Sequence, residues 1–211
     1  MRLYLSSFRI GNKPGELLRL LDGRKRTALI LNADDYKGAD DRAASLEREL
    51  TELKGIGLEP AELDLRKYSG RAKQLGEALS NADLIYVRGG NVFVLRRALK
   101  QTGADELIKQ LLADDAIVYA GYSAGICVLG PTLRGIEGVE DDTHLVPEGY
   151  DAPVIWDGLD LLPYAIAPHY GAGLPAIVSL IDYCISNHVP FITLRDGEAL
   201  VIEGASQTVV G

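Results

Sequence analysis

The chain has 211 residues, about 1.4 times a typical domain length, so a single domain over residues 1–211 is the expectation. Its 22 Lys and Arg against 30 Asp and Glu give a net charge of −8, and its one basic run, Arg24-Lys25-Arg26, is too short to neutralise a nucleic-acid backbone. Two widely spaced cysteines (Cys127 and Cys184) and only three histidines argue against a thiolate zinc site or a His-rich metal centre, and no apolar run reaches the roughly 18 residues of a membrane helix.

The opening MRLYLSSFRIG lacks the apolar core of a signal peptide, so a soluble cytoplasmic protein is expected. Arg2–Phe8 reads as a strand and Gly15–Leu21 as a short helix. Thr27–Asn32 is a strand whose apolar middle suits a sheet covered on both faces. Asp40–Lys54 is an amphipathic helix, with Leu46, Leu50 and Leu53 on one face. Ala61–Leu65 reads as a strand, Gly70–Ser80 as a helix and Asp83–Val87 as a strand. Two helices, Val92–Lys100 and Asp105–Ala113, lead to the strand Ala116–Ala120. Residues 131–162 are rich in Gly, Pro, Asp and Glu without periodicity, which predicts long loops of the kind that carry function. Order resumes with the strand Ala165–Ala167, the helix Leu174–Asn187 and the strands Phe191–Leu194 and Ala199–Ile202; Gln207–Val210 suits an edge strand. Repeated strand–helix alternation predicts an α/β fold, a three-layer sandwich around a largely parallel sheet.

Two glycine-rich turns follow predicted strands. Gly121-Tyr122-Ser123-Ala124-Gly125 has the G-x-S-x-G form of a nucleophile elbow, between a strand and a helix. In that setting the serine hydroxyl stands at the sheet end, the Ala124 N–H can face an oxyanion, and the following helix directs its dipole there. The plain alternative is a tight turn with an idle serine. Arg88-Gly89-Gly90-Asn91 ends the preceding strand, where ligands of open parallel sheets bind. Gly90 can bring a second N–H to an oxyanion and Asn91 can face substrate, although Asn91 is equally a good helix N-cap.

A serine nucleophile needs a base. His188 follows a helix, where the dipole explains it, and His144 lies in the acidic run 137–148; His169 in Ala167-Pro168-His169-Tyr170 stands at a strand end and is the candidate. A class I glutaminase would have Cys at the elbow and Glu two residues after its His; here those positions are Ser123 and Gly171. Cys127, one turn beyond Ser123, suits the core. The carboxylate that orients His169 is open. Hydrolase chain order offers Asp141, Asp142, Asp151, Asp157 and Asp160, and the late turn offers Asp196 or Glu198. Asp196-Gly197 also fits a plain hairpin turn.

These segments together resemble the dipeptidase E (alpha-aspartyl dipeptidase) and cyanophycinase family of serine peptidases. The resemblance covers nearly the whole chain and rests on Gly89-Gly90-Asn91, on the elbow with Gly130-Pro131-Thr132, on Pro168-His169-Tyr170 and on Asp196-Gly197. It implies a class I glutamine amidotransferase-like (flavodoxin-like) fold and peptide cleavage through an acyl-enzyme. Ser123 is then the nucleophile, His169 the base and Asp196 the third member, with Glu198 as the alternative; Gly90 and Ala124 supply oxyanion N–H groups. The loop acid of some members falls nearest Gly138, among Glu137, Glu140, Asp141 and Asp142. Aspartate-selective members carry Gly-Glu-Thr-Arg after the His. Here Tyr170-Gly171-Ala172-Gly173-Leu174 follows, with no Arg before Arg195, leaving Arg88 or Arg134 as substitutes.

The expected enzyme is a cofactor-free, metal-independent serine peptidase of short peptides, with no nucleic-acid or membrane partner and with a homodimer left open. An α/β-hydrolase-type esterase and a non-catalytic ligand-binding domain of amidotransferase-like fold are the rivals.

Overall fold

In the computed structural model, which describes residues 1–138 and 141–211, the apolar runs become strands whose buried faces dictate their place. β1 (Arg2–Ser6), β2 (Arg26–Ile30), β3 (Glu59–Glu62), β4 (Leu84–Val87) and β5 (Val118–Tyr122) pair in parallel in the order β3-β2-β4-β5-β1. Except at their first residues, β1 and β2 are buried, and β4 and β5 are buried throughout, as required of strands covered on both faces. Successive side chains then serve opposite cores: Leu3 and Leu5 of β1 join one cluster, and Tyr4 joins the other.

One face is covered by α1 (Pro14–Leu21) and α2 (Ala39–Gly55), through Leu17, Leu20, Leu21 and Leu53. The other carries α3 (Ala72–Ser80), α4 (Val92–Thr102), α5 (Ala104–Ala113), the one-turn α6 (Ala124–Cys127) and, after a small second sheet, α7 (Pro175–Ser186). The predicted three-layer α/β arrangement is present. No helix of the described residues is long and apolar enough to cross a membrane.

Three departures from the expected pattern bear on the site. First, the strands β6 (Ala165–Ala167) and β7 (Phe191–Thr193) do not enter the main sheet; they pair with each other in parallel. Only β8 (Ala199–Glu203) and β9 (Ser206–Val210) extend the main sheet beyond β1, both antiparallel. The Asp196-Gly197 turn is therefore no hairpin, since it carries the chain from one sheet to the other. Second, β3 lies earlier than the expected Ala61–Leu65. Leu63, buried, gives β2 one last hydrogen bond, to Leu29 O at 2.8 Å, and the chain then turns because Asp64 caps a 3₁₀ turn, Leu65–Tyr68, by accepting from the Arg66 N–H. Third, β5 runs two residues past Ala120, so Gly121 and Tyr122 are still strand when the chain reaches Ser123.

Residues 131–162 form no regular element among those described beyond one bridge, Thr132 to Asp157. Side chains of α4 hold much of this segment. Buried Arg97 donates to the carbonyls of Thr143 (2.8 Å), Leu145 (3.3 Å) and Ala152 (3.2 Å), and Arg96 donates to Asp157 O (2.9 Å). Burial lowers the pKa of the Arg97 guanidinium from its ordinary value. The arginines give the segment's backbone the partners that a sheet or helix would otherwise supply.

Candidate active site

The elbow is built by close approach. Ser123 has φ 52° and ψ −120°, a conformation rare for a residue with a side chain. It persists because β4 crowds the turn. A Cβ on Gly125 would stand 2.2 Å from Val87 O, and one on Gly121 would stand 2.6 Å from the same atom. Buried Tyr119 donates its hydroxyl to Gly125 O at 2.6 Å, fixing the far side of the turn. The Ser123 hydroxyl makes no capping bond, and Ala124, as the first residue of α6, has an N–H with no intrahelical acceptor. The helix behind the elbow is a single turn, shorter than expected, so local N–H groups rather than a long macrodipole face the site.

At the end of β4, Gly90 has φ 144°, and a Cβ there would meet Ala33 O at 2.7 Å. Glycine alone fits this backbone. Asn91 is fully buried: Oδ1 accepts from the N–H groups of Phe93 and Val94, both at 2.9 Å, and Nδ2 donates to Asp142 O at 3.0 Å. It caps α4 and fastens the 131–162 segment. This is the helix-capping role that the sequence also offered for Asn91.

His169 and Asp196 come from the ends of β6 and β7. Parallel pairing of these strands brings the two turns side by side, and His169 Nδ1 lies 2.7 Å from Asp196 Oδ1. A carboxylate only accepts, so the proton sits on Nδ1 and Nε2 is the basic nitrogen. The link to the main sheet is Ser7, just beyond β1 and fully buried. Its Oγ accepts from the His169 backbone N–H at 2.7 Å and donates to Asp196 Oδ1 at 2.9 Å. His169, with φ 55°, is held in a strained conformation by this clasp. Glu198 turns away and accepts from the Arg195 N–H at 2.7 Å.

Two of the loop carboxylates accept backbone N–H groups, and one of these, Asp141, also borders a cavity with Ser123 and His169. Asp141 accepts from Val92 N–H (2.7 Å) and Asp142 from His144 N–H (2.8 Å), while the main chains of Asp157 and Asp160 bond within the segment. Asp151 N–H reaches Gln101 at 3.3 Å. Glu140 lies outside the described residues. His144 and His188 are exposed.

Ser123, His169 and Gly90 border two cavities at once. The first, about 330 Å³, is walled by Ala124, Cys127, Ile136, Leu145, Leu174 and Ile177, with Asp141 at its polar side and no Lys or Arg among the described lining residues. Cys127 is buried there with its Sγ 3.5 Å from Ile166 O, and burial pushes its thiol well above the usual range, the state of a core residue. The second cavity, about 320 Å³, is bounded by Phe8, Arg9, Lys37, Arg48, Arg88 and Tyr122. Arg88 is buried, bridging Asp34 and Glu49, both fully buried; Glu49 also accepts from the Tyr122 hydroxyl at 2.7 Å. This ion network lies directly beneath the elbow, and each buried charge has an opposite partner. Arg134, the other arginine weighed, stacks over Trp156 at 4.6 Å.

Ser7, Phe8 and Glu49 were not legible in the sequence. The one available signal is topological. Because β1 pairs with β5, with Ser6 beside Tyr122, whatever follows β1 must border the elbow. Among the described residues no group of three or more His, Cys, Asp or Glu side chains could hold a metal ion.

Comparisons with known proteins bear on the fold and the family. The model of peptidase family S51 matches residues 16–210. The peptidase Lin0382 of Listeria innocua is 34% identical over 159 residues, 70% of this chain and 71% of that protein. A peptidase E of Shewanella denitrificans is 26% identical over 222 residues, spanning 99% of this chain and 87% of its own. A crystal structure from Listeria monocytogenes, described as a candidate peptidase E, superposes with a TM-score of 0.77 at 26% identity, covering 99% of this chain and 97% of that one. With the match running over nearly the full length, the chain belongs to peptidase family S51, a family of serine peptidases.

Proposed function

We propose that this peptidase hydrolyses short peptides through an acyl-enzyme on Ser123, with His169 as base and Asp196 as its orienting carboxylate. The observation that carries the reading is the His169–Asp196 pair at 2.7 Å, whose histidine borders the same cavity as a serine held in a strained elbow. His169 Nε2 takes the Ser123 proton as Oγ attacks the scissile carbonyl carbon, and returns it to the leaving amine as the C–N bond breaks. Water repeats the sequence, its proton passing through His169, to release the acyl group as a carboxylic acid and restore Ser123. The N–H groups of Gly90 and Ala124 receive the oxyanion, worth about 3 kcal/mol per donor in comparable enzymes.

The first cavity takes the N-terminal residue. Its lining favours an apolar side chain over aspartate, because a buried substrate carboxylate without a cation would be costly. The two cysteines are unpaired and buried, which suits a reducing cytoplasm. Hydrolysis of a dipeptide library by the wild type and by Ser123→Ala tests the proposal. The expected loss is at least about 10⁴-fold with the fold intact; unchanged turnover overturns it.

A further inference from the structure

The two cavities that meet at Ser123 differ in charge, and a dipeptide is a zwitterion. The first holds one carboxylate, Asp141, among apolar walls. The second holds four cations. Their carboxylate partners lie behind them: Asp34 serves Arg88 and Lys37 (3.0 Å to the latter), and Glu49 serves Arg88 and, at 3.9 Å, Arg48. Arg88 is the buried floor and is fully engaged. Arg48 and Arg9 form the rim. Arg48 has one long ion-pair contact, to Glu49, and the Arg9 guanidinium rests over the Phe8 ring at 5.4 Å with no ion pair within 4 Å among the described residues; both also act electrostatically on Glu52, which lines a neighbouring surface cleft with them. Phe8 is 44% exposed, and its ring lies edge-on to His169 at 5.8 Å and to Tyr122 at 6.1 Å. An aromatic wall beside the base, rimmed by two weakly paired arginines, is suited to an amino acid that carries a free carboxylate.

We infer that this second cavity is the subsite for the substrate's C-terminal residue, with Arg9 and Arg48 receiving its α-carboxylate and Phe8 packing its side chain. This assignment rests on the reading of Ser123 as nucleophile and adds the direction of binding. In a dipeptide the terminal carboxylate lies within about 4 Å of the scissile nitrogen, roughly the length of one residue. A cation must therefore line the cavity that Ser123 borders, as these do. The amino end then points towards Asp141, and the leaving amine emerges in the basic cavity, beside His169. Charge at the two ends selects short peptides with a free carboxylate and orients them for attack.

Binding to the inactive Ser123→Ala protein separates this claim from catalysis. Titration calorimetry with Leu-Ala and with Leu-Ala amide should show the free dipeptide bound about tenfold tighter, the scale of one charge-assisted hydrogen bond. Adding Arg9→Met and Arg48→Met, both at exposed or half-buried positions, should abolish that preference while leaving amide binding unchanged. Equal affinity for the two ligands in the parent, no binding of either, or a preference that survives both substitutions overturns the subsite. In parallel, labelling of wild-type Ser123 by a fluorophosphonate reports on the nucleophile. Carboxylate-selective binding with an unlabelled serine supports the subsite and overturns the mechanism; a labelled serine without that selectivity does the reverse.

Discussion

Ser123 and His169 face one cavity but are held in different ways. The serine side belongs to the main sheet. Its turn is pressed against Val87 and braced by Tyr119, and beneath it Glu49, Arg88 and Asp34 form a buried ion network. The histidine side belongs to a separate sheet of two three-residue strands, and Asp196 is about half exposed. This side is attached by hydrogen bonds from the segment after β1: the Ser7 hydroxyl bonds the His169 N–H and Asp196, and the Ser7 and Asn12 N–H groups donate to Glu198 O and Gly197 O, both at 2.9 Å. Ser123 is thus fixed by backbone packing that tolerates no Cβ, whereas His169 is fixed by a few hydrogen bonds between separate segments. The comparison teaches that the serine side should fail by losing stability and the histidine side by losing rate.

The largest effect is expected on the histidine side. Asp196→Asn removes the acceptor that keeps the proton on Nδ1. It should lower kcat by about 10³- to 10⁴-fold with KM and melting temperature nearly unchanged. Steady-state kinetics on a library-selected dipeptide would show it, and a fall of less than tenfold would return the third role to another carboxylate. On the serine side, Gly125→Ala must move Val87 O out of a 2.2 Å contact. The expected cost is about 3 kcal/mol of stability by denaturant titration, and a loss under 0.5 kcal/mol would contradict the packing account of the elbow.

Ser7→Ala probes the link between the sides. It removes a bond to Asp196 and the acceptor of the His169 N–H, so kcat should fall about 10- to 100-fold while KM holds and Ser7→Thr restores part of it. Loss of stability without loss of kcat would make Ser7 structural only. The smallest effect lies at the amino ends of the strands, away from the site. Arg26 hydrogen-bonds Asp83 across β2 and β4 and holds its carboxyl below the usual range. That contribution is complete at neutral pH and is lost as pH falls below about 4 through the lowered folded value. Thermal melts should therefore show Asp83→Asn destabilised by about 2–4 °C at pH 7 and by less at pH 3, with kcat unaltered. A gap that widens in acid would refute the sign.

Local sequence chemistry made the serine side readable. A turn that needs glycines at fixed spacing after an apolar strand leaves its mark within five residues, Gly121 to Gly125. Gly90 and the α4 cap at Asn91 were legible for the same reason. His169 could be singled out because the chain has so few histidines. The residues alone left its carboxylate partner open, and only the family resemblance favoured Asp196, since it is 27 residues away and nothing local says that β6 pairs with β7 rather than with the main sheet. Ser7 and Arg9 were hidden in the same way. Ser7 falls in the run that reads as the first strand and Arg9 just past it, and neither points to the site until the strand order sets β1 beside β5. The path of residues 143–157 was equally unreadable, because it depends on Arg96 and Arg97, which look like solvent-facing helix residues and are buried.

Mass-spectrometric mapping of a fluorophosphonate adduct tests the central claim most directly. The account predicts a single adduct on Ser123 in the wild-type protein, slower adduct formation in Asp196→Asn, and none in Ser123→Ala. An adduct on another residue, or labelling that persists in Ser123→Ala at the wild-type rate, would contradict it.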